Sequence, residues 1–195
     1  MEPRKFLEAF ALAERLKDTT RHCYTSKGRH ESVAEHSWMT TLMAFLIRDE
    51  FPEADMDKVI RMCIIHDLGE AFTGDIPTFD KTPDDEAREE ALLSQWVSSL
   101  PAPYAQQMAQ LYAEMDARET IEAKIYKAID NLEAVIQHNL SDISTWLPLE
   151  YELNPVYGQE ACDAFELTRK LREIQHRVSL EKIAAQSCND GKNMV

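Results

Sequence analysis

The sequence has few glycines, no biased tract and no long apolar run. Its 5 Gly, 44% hydrophobic residues and 29% charged residues exclude a disordered or low-complexity chain. The longest strongly apolar stretch, Leu42 to Ile47, is too short to cross a bilayer. The amino-terminal residues Met-Glu-Pro-Arg-Lys lack the apolar segment of a signal peptide. We therefore expect a soluble, cytoplasmic protein.

Basic residues are also scarce. The sequence has 21 Lys and Arg against 35 Asp and Glu, which gives a formal net charge of −14. A charge of this sign repels polyanions, so it argues against nucleic-acid and anionic-membrane partners. A small anionic substrate would need a local basic group or a metal ion.

The four cysteines show no metal-binding or disulfide spacing. Cys23, Cys63, Cys162 and Cys188 lie far apart, and no Cys-x-x-Cys pair occurs. This distribution favours reduced thiols over a disulfide framework or a structural zinc site. We expect these side chains to serve in packing.

The length and the apolar spacing predict one all-α domain. A chain of 195 residues is long enough for one sizeable core. We place this domain at residues 1–188 and a frayed tail at 189–195. Apolar residues recur at helical spacing, and no alternating run is long enough to predict a strand. The fold expected is a helical bundle of about six to eight helices.

Capping signals fix several helix ends. Ser32 with Glu35 three residues later forms a capping-box pattern, and Thr82 followed by Pro83 is a typical helix start. Phe6, Leu7, Phe10, Ala13 and Leu16 recur at helical spacing and predict a first helix of about three turns. Residues 141–158 show no sustained period and predict an ordered loop with at most a short helical turn. The predicted helices span about 6–16, 33–50, 55 to either 69 or 73, 83–99, 103–115, 120–136 and 159–187.

The sharpest local signal is His66-Asp67, followed by Glu70 and Asp75. Side chains at adjacent helical positions point about 100° apart, so the imidazole and the carboxylate can reach one cation at a helix end. An isolated His-Asp dipeptide is more often a surface pair or a helix-end hydrogen bond, so the motif needs supporting context.

That context comes from two other helices. His36 lies in an otherwise apolar helix, and Asp130 interrupts an apolar stripe. A buried, ionised aspartate needs a cation or several hydrogen bonds. One divalent metal held by His36, His66, Asp67 and Asp130 would satisfy these residues together. This nitrogen and oxygen set suits Mn²⁺, Fe²⁺, Co²⁺, Ni²⁺ or Zn²⁺ and leaves positions for water and a phosphoryl oxygen.

The order of these residues resembles the HD superfamily of metal-dependent phosphohydrolases. Three segments narrow the resemblance to its 5′-deoxynucleotidase branch, and the similarity covers roughly residues 5 to 180. These segments are 31–37 (Glu-Ser-Val-Ala-Glu-His-Ser), 66–77 (His-Asp-Leu-Gly-Glu-Ala-Phe-Thr-Gly-Asp-Ile-Pro) and 127–130 (Lys-Ala-Ile-Asp).

The resemblance implies hydrolysis of a deoxyribonucleoside 5′-monophosphate to nucleoside and phosphate. Glu70 should share the helical face of the His-Asp pair and act as acid or base, while Asp75 matches the family's second catalytic carboxylate. Arg21 matches a phosphate-binding arginine. His22 stands where many relatives carry a Trp thought to sense the sugar, so the deoxyribose preference is open at this position, and His22 is assigned a substrate contact or an exposed loop position.

The resemblance also bears on cofactors, partners and rival functions. No histidine occurs between Asp67 and Asp130, which favours one metal over a dinuclear centre, and relatives are often homodimers. Glu35 is assigned to helix capping or, preferably, to orienting His36. The alternatives are an HD phosphohydrolase acting on a nucleoside triphosphate, a guanosine alarmone or another phosphoester, and a catalytically silent nucleotide-binding scaffold. Trp38, Trp96 and Trp146 are expected in core or interface packing.

Overall fold

The fold of the computed structural model is almost entirely helical, as the periodicity predicts. The structure describes residues 2–192, in which ten α-helices and two short strands form. The elements are α1 Pro3–Glu14, β1 Thr20–Tyr24, β2 His30–Ser32, α2 Val33–Leu46, α3 Met56–Ile65, α4 Glu70–Thr73, α5 Pro83–Ser99, α6 Tyr104–Ala117, α7 Ile121–Leu140, α8 Glu150–Leu153, α9 Gln159–Asp163 and α10 Glu166–Lys192. Single 3₁₀ turns follow α1, α2 and α7. Among the described helices, none is both long and apolar enough to span a bilayer.

Internal contacts divide the chain into two compact units. The first contains the chain up to His22 and the segment Glu31–Tyr126, and the second contains Cys23–His30 and the chain from Lys127 onwards. The boundary therefore falls inside the β1–β2 hairpin and inside α7. The expected single domain of residues 1–188 stays a prediction.

The first unit packs around a small apolar cluster at the end of α1. Leu12, Leu16, Val33, Leu68 and Ala71 form this cluster. At the start of α1, Phe6 and Phe10 are 54% and 61% exposed. The helical spacing there is real, but nothing in the described part of the chain covers that end of the helix. Trp38 is likewise 62% exposed, whereas Trp146 is buried and Trp96 packs against the cluster.

The β1–β2 hairpin was not predicted from the sequence. Its strands contain only five and three residues, too few for an alternating pattern to stand out. Two hydrogen bonds close the turn. The Gly28 amide donates to the Thr25 carbonyl at 2.9 Å, and the Thr25 amide donates to the Arg29 carbonyl at 2.8 Å. Gly28 has φ +80°, a conformation that glycine adopts without steric cost.

A break separates α3 from α4 close to Gly69, one of the two positions at which the third predicted helix was expected to end. The amides of Leu68, Glu70, Ala71 and Phe72 each donate to the carbonyl three residues earlier, at 3.0–3.3 Å. This is 3₁₀ geometry, in which residues three apart lie directly above one another. Glu70 therefore lies above Asp67 because the chain tightens, and not because it shares an α-helical face with His66.

The second unit is built on the carboxyl-terminal half of α7 and on α10. Ile129, Leu132 and Cys162 are fully buried. Arg172 of α10 donates to the backbone carbonyls of Asn154 and Tyr157 at 2.9 and 2.8 Å, which fixes the loop before α9. That loop has the predicted order and contains one short helix, α8.

The last predicted helix differs at both ends. It is divided between α9 and α10, because the Thr168 hydroxyl donates to the Cys162 carbonyl at 2.6 Å and competes with continuous helix bonding. The helix then continues to Lys192, past the predicted end at Ser187, and residues 193–195 lie outside the described part.

Cys23, Cys63 and Cys162 are free thiols in buried positions, as expected, while the Cys188 side chain lies outside the description.

Candidate metal centre and surrounding acids

His66 follows the last residue of α3 and is fixed on two sides. Its Nδ1 lies 2.8 Å from the Cys63 carbonyl oxygen. Because a carbonyl only accepts, Nδ1 carries the hydrogen and Nε2 keeps its lone pair. The Tyr126 ring meets the imidazole edge-on, with centroids 5.7 Å apart. A second contact, from Tyr112 Oη to the Ile65 carbonyl at 2.6 Å, holds the end of α3 from which His66 projects.

His36 is placed in the same unit by α2. The helix starts at the predicted capping box, in which the Glu35 carboxylate accepts from the Ser32 amide at 2.9 Å. His36 lies on the following turn and is 1% exposed. Its ring meets His66 with centroids 5.1 Å apart. The bonds of Glu35 show that it caps α2, and its preferred assignment to orienting His36 stays a prediction.

Asp67 brings the two imidazoles to one point. Its Oδ2 lies 3.0 Å from His66 Nε2 and 3.7 Å from His36 Nε2. The donor atoms of the three residues all lie within 4.8 Å of one another. Donor atoms about 2.0–2.2 Å from one shared cation are about 3–4 Å apart. His36, His66 and Asp67 therefore fit one metal ion, with the lone pair of His66 already directed at it.

Asp130 lies on α7 in the second unit. Its side chain is 15% exposed, and its Oδ2 accepts a hydrogen bond from Lys127 Nζ at 2.7 Å. Lys127 therefore supplies a positive charge beside this carboxylate, one turn earlier on the same helix. The role of Asp130 as a fourth ligand stays a prediction.

Glu70 and Asp75 are acids in a buried environment. Burial, followed by the charges of Asp67 and Asp75, raises the pKa of Glu70 to about 10, although Arg21 opposes this shift. Burial also raises the pKa of Asp75, against the opposing effect of Arg21 and His22. Glu70 Oε2 and Asp75 Oδ2 are buried without a hydrogen-bond partner in the described part of the chain. Both oxygens are thus available to a ligand.

The position of Asp75 depends on a glycine. Gly74 ends α4 with φ +80° and ψ 166°, a region open almost only to glycine. Its amide still donates to the Glu70 carbonyl at 2.8 Å. The turn therefore reverses the chain directly after α4 and brings Asp75 close enough to affect the pKa of Glu70.

Arg21 and His22 lie together on β1. Arg21 Nε lies 3.8 Å from Oε2 of Glu31, a carboxylate that is 2% exposed, so Glu31 orients the guanidinium. His22 meets the Phe79 ring edge-on at 5.4 Å. Arg21 and His22 both oppose the burial that raises the pKa of Asp75, which places the predicted substrate-binding residues near the predicted catalytic acid.

A cavity of about 530 Å³ lies between α5 and α6 and reaches His66. Sequence reasoning missed it, because its residues come from helices whose apolar period predicts only packing. Only the acidic run at the start of α5 gave a signal that could have been followed. The side chains that contribute charge to its wall are Lys81, Glu86, Glu89, Glu90, Asp116 and Arg118, and His66, Tyr112 and Tyr126 also line it.

Comparison with known proteins identifies the fold and related enzymes. The HD domain family matches residues 13–171. The human 5′-deoxynucleotidase HDDC2 is 30% identical over 138 residues, which cover 69% of this chain and 67% of that protein. The 5′-deoxynucleotidase hdd1 of Schizosaccharomyces pombe is 28% identical over 131 residues, which cover 63% of this chain and 65% of that protein.

Solved structures agree with the helical arrangement. A predicted metal-dependent phosphohydrolase from Magnetospirillum magnetotacticum superimposes with a TM-score of 0.77 at 26% identity, covering 93% of this chain and 92% of that one. An HD-domain phosphohydrolase from Listeria innocua gives a TM-score of 0.63 at 21% identity, covering 93% and 88% of the two chains. The latter likeness concerns the fold alone.

Proposed function

Because this chain belongs to the HD domain family, we propose that it is a metal-dependent phosphohydrolase acting on nucleoside 5′-monophosphates, with deoxyribonucleotides as the expected substrates. The products are the nucleoside and inorganic phosphate. The observation that carries the proposal is the convergence of His36, His66 and Asp67 within 4.8 Å, beside two buried acids with unpartnered oxygens. The relatives named 5′-deoxynucleotidase support the substrate class.

We assign the metal to His36, His66, Asp67 and, as fourth ligand, Asp130. The ion is a single divalent transition metal, from Co²⁺, Mn²⁺, Fe²⁺, Ni²⁺ and Zn²⁺. When bound, such an ion lowers the pKa of a coordinated water and offsets charge on the phosphoryl group. The neutral Nε2 of His66, set by the Cys63 carbonyl, is the form of histidine that binds metals.

The two buried acids divide the proton transfers. Hydrolysis removes a proton from the attacking water and delivers one to the leaving 5′-oxygen. In the metal-free protein the pKa of Glu70 is raised to about 10, so burial and the neighbouring carboxylates favour its protonated form, and we assign Glu70 the donor role. Burial raises the pKa of Asp75 as well, but Arg21 and His22 oppose this shift and favour its ionised form, so we assign Asp75 the acceptor role.

Arg21 and His22 are assigned to the substrate. The Arg21 guanidinium, oriented by Glu31, can donate two hydrogen bonds to a phosphate. His22 lies against Phe79 and contacts the sugar or the phosphate. A homodimer and a cytoplasmic location complete the proposal, and sedimentation of the purified protein tests the dimer.

The decisive experiment measures phosphate release from ribo- and deoxyribonucleoside monophosphates after chelation and re-addition of each divalent metal. Activity that returns with one metal supports the proposal. Release only from nucleoside triphosphates or alarmones would instead favour the rival phosphohydrolases, and nucleotide binding without release would favour a silent scaffold. A protein that binds neither metal nor nucleotide contradicts the proposal outright.

Asp67→Ala should abolish metal binding and turnover while the helical circular dichroism persists, because a ligand is lost and the bundle is not. Asp49→Ala is the matched control, since the Asp49 side chain is 93% exposed and its removal should change neither property. Metal-free Asp67→Ala that still releases phosphate would overturn the mechanism.

Asp130→Asn should weaken the affinity for the metal, because a candidate ligand loses its charge. An unchanged dissociation constant for the metal would remove Asp130 from the ligand set.

A further inference from the structure

Lys81 is a largely covered lysine beside the candidate metal centre. Its side chain is 22% exposed, and it lines the same cavity as His66. Burial lowers the pKa of Lys81, but the hydrogen bond to Glu89 and the charges of Glu89 and Asp67 outweigh this effect and raise it. Lys81 is therefore a fixed cation within electrostatic reach of the acids that surround the metal residues.

Glu89 of α5 accepts a hydrogen bond from this lysine and also supports the turn that carries Glu70. Its Oε2 accepts from Lys81 Nζ at 2.9 Å and from Thr73 Oγ1 at 3.2 Å. The Glu89 side chain also lies directly against Gly69, where an added Cβ would come within 2.8 Å of Glu89 Cγ. One carboxylate thus contacts both ends of the short segment that contains Glu70, and it fixes the ammonium group at the cavity wall.

The ammonium group keeps donors for a ligand. Lysine has three N–H donors, and in the described part of the chain Glu89 is the acceptor within hydrogen-bond distance of Nζ. Two donors therefore remain. The molecule has a net charge of −14, so an anionic ligand needs a local cation. A largely covered lysine with two unused N–H donors can provide one.

We propose that Lys81 is a phosphate-contacting residue of this enzyme and that Glu89 is the residue that positions it. The inference deepens the proposed function and rests on it, since the phosphate belongs to the nucleoside monophosphate. Arg21 approaches the buried acids from β1, and Lys81 approaches from the segment before α5. The phosphate would then meet cationic side chains from two separate elements.

The test compares Lys81→Met with Lys58→Met. Lys58 is a matched control, because its side chain is 23% exposed, it pairs with Glu114 at 2.8 Å, and it does not line the cavity. Loss of a charged hydrogen bond weakens binding by about tenfold or more. Lys81→Met should therefore raise KM for the monophosphate and the inhibition constant of inorganic phosphate by about this factor, with metal content unchanged. Lys58→Met should change neither constant.

Calorimetric titration with inorganic phosphate gives the same comparison without turnover, so it separates this inference from the proposed function. Absence of phosphate release from the wild-type enzyme would refute the proposed function, whereas wild-type release with unchanged phosphate affinity in Lys81→Met would refute only the role of Lys81.

Glu89→Gln tests the positioning role. It should raise the phosphate inhibition constant by a smaller factor and lower kcat as well, since Glu89 also contacts the Glu70 turn. If Glu89 acts on phosphate through Lys81, the double variant Lys81→Met/Glu89→Gln should have the phosphate constant of Lys81→Met alone. Factors that multiply in the double variant would show that Glu89 does not act through Lys81, and would overturn its assignment.

Discussion

Glu70 shows how a single residue couples chemistry to stability. Its carboxyl group is 9% exposed and lies between Asp67 and Asp75, so its ionised form is disfavoured by burial and by like charge. Only a cation or a proton relieves that repulsion. The residue that suits proton donation is therefore also one that opposes folding of the metal-free protein at high pH.

This predicts a pH-dependent stability for the metal-free protein. The pKa of Glu70 rises from 4.5 to about 10 on folding, so between these values the unfolded chain releases a proton that the folded chain keeps. The free energy of unfolding therefore falls as pH rises through this range. Glu70→Gln removes this dependence, and its melting temperature without metal should exceed that of the wild type by several degrees at pH 8.

The measurement is thermal unfolding in chelator at pH 4 and pH 8. At pH 4 the two proteins should melt together, because the carboxyl group is protonated in both states. Glu53→Gln, at an exposed position, should follow the wild type throughout. If the melting temperatures of Glu70→Gln and the wild type changed equally between pH 4 and pH 8, ionisation of Glu70 would not destabilise the folded protein.

At the scale of elements, the short helix α4 joins the metal residues to Asp75 through Gly74. A side chain at φ +80° and ψ 166° is strained by about 1–3 kcal/mol. Gly74→Ala should lower stability by about this amount and reduce kcat at least tenfold, because relief of the strain displaces Asp75. Urea unfolding and steady-state kinetics measure the two effects.

Gly28→Ala is the control for that change. Gly28 has the same φ of +80°, and an added Cβ there meets nothing within 4 Å. It lies in the hairpin turn, at the opposite end of β1 from Arg21. Gly28→Ala should lower the free energy of unfolding by an amount comparable to that for Gly74→Ala and leave kcat within about twofold of the wild type. Equal loss of kcat in both variants would mean that Gly74 acts only through the fold.

The sequence predicted elements whose ends carry strong local signals. Thr82 and Pro83 mark the start of α5 because a cap and a proline act within one turn, and Ser32 marks α2 in the same way. Fraying near Gly69 was predicted, but the 3₁₀ bonding after His66 was not, since it depends on tertiary contacts such as Glu89 against Gly69. The hairpin was not predicted because its strands of five and three residues are too short to show an alternating pattern.

The metal-binding residues of the candidate site could be predicted from residue type, whereas the side chains that orient them could not. His36, His66 and Asp67 are brought together as predicted, because two neutral imidazoles and a carboxylate inside apolar helices have few other uses. The side chains that orient them were not predictable. Tyr112 and Tyr126 come from helices whose spacing predicts only core packing, and their contacts arise from the tertiary fold.

For the molecule as a whole, the net charge of −14 should oppose the approach of a phosphate dianion. Raising ionic strength from about 0.01 M to 0.15 M shortens the Debye length from about 30 Å to 8 Å. We expect kcat/KM for a nucleoside monophosphate to rise a few fold over this range, with kcat at saturation unchanged, because salt screens the encounter and not the bound complex. A fall in kcat/KM would indicate that local cations control the approach instead.

The charged wall of the cavity between α5 and α6 has a consequence for competition among nucleotides. A substrate with a single phosphate can place it beside Arg21 and Lys81, whereas a longer phosphate chain would bring extra negative charge towards Glu86, Glu90 and Asp116. Adenosine triphosphate should then be a poor inhibitor even in large excess. An enzyme built in this way could act on scarce monophosphates in the presence of an abundant triphosphate pool, with its selectivity set by repulsion as much as by recognition.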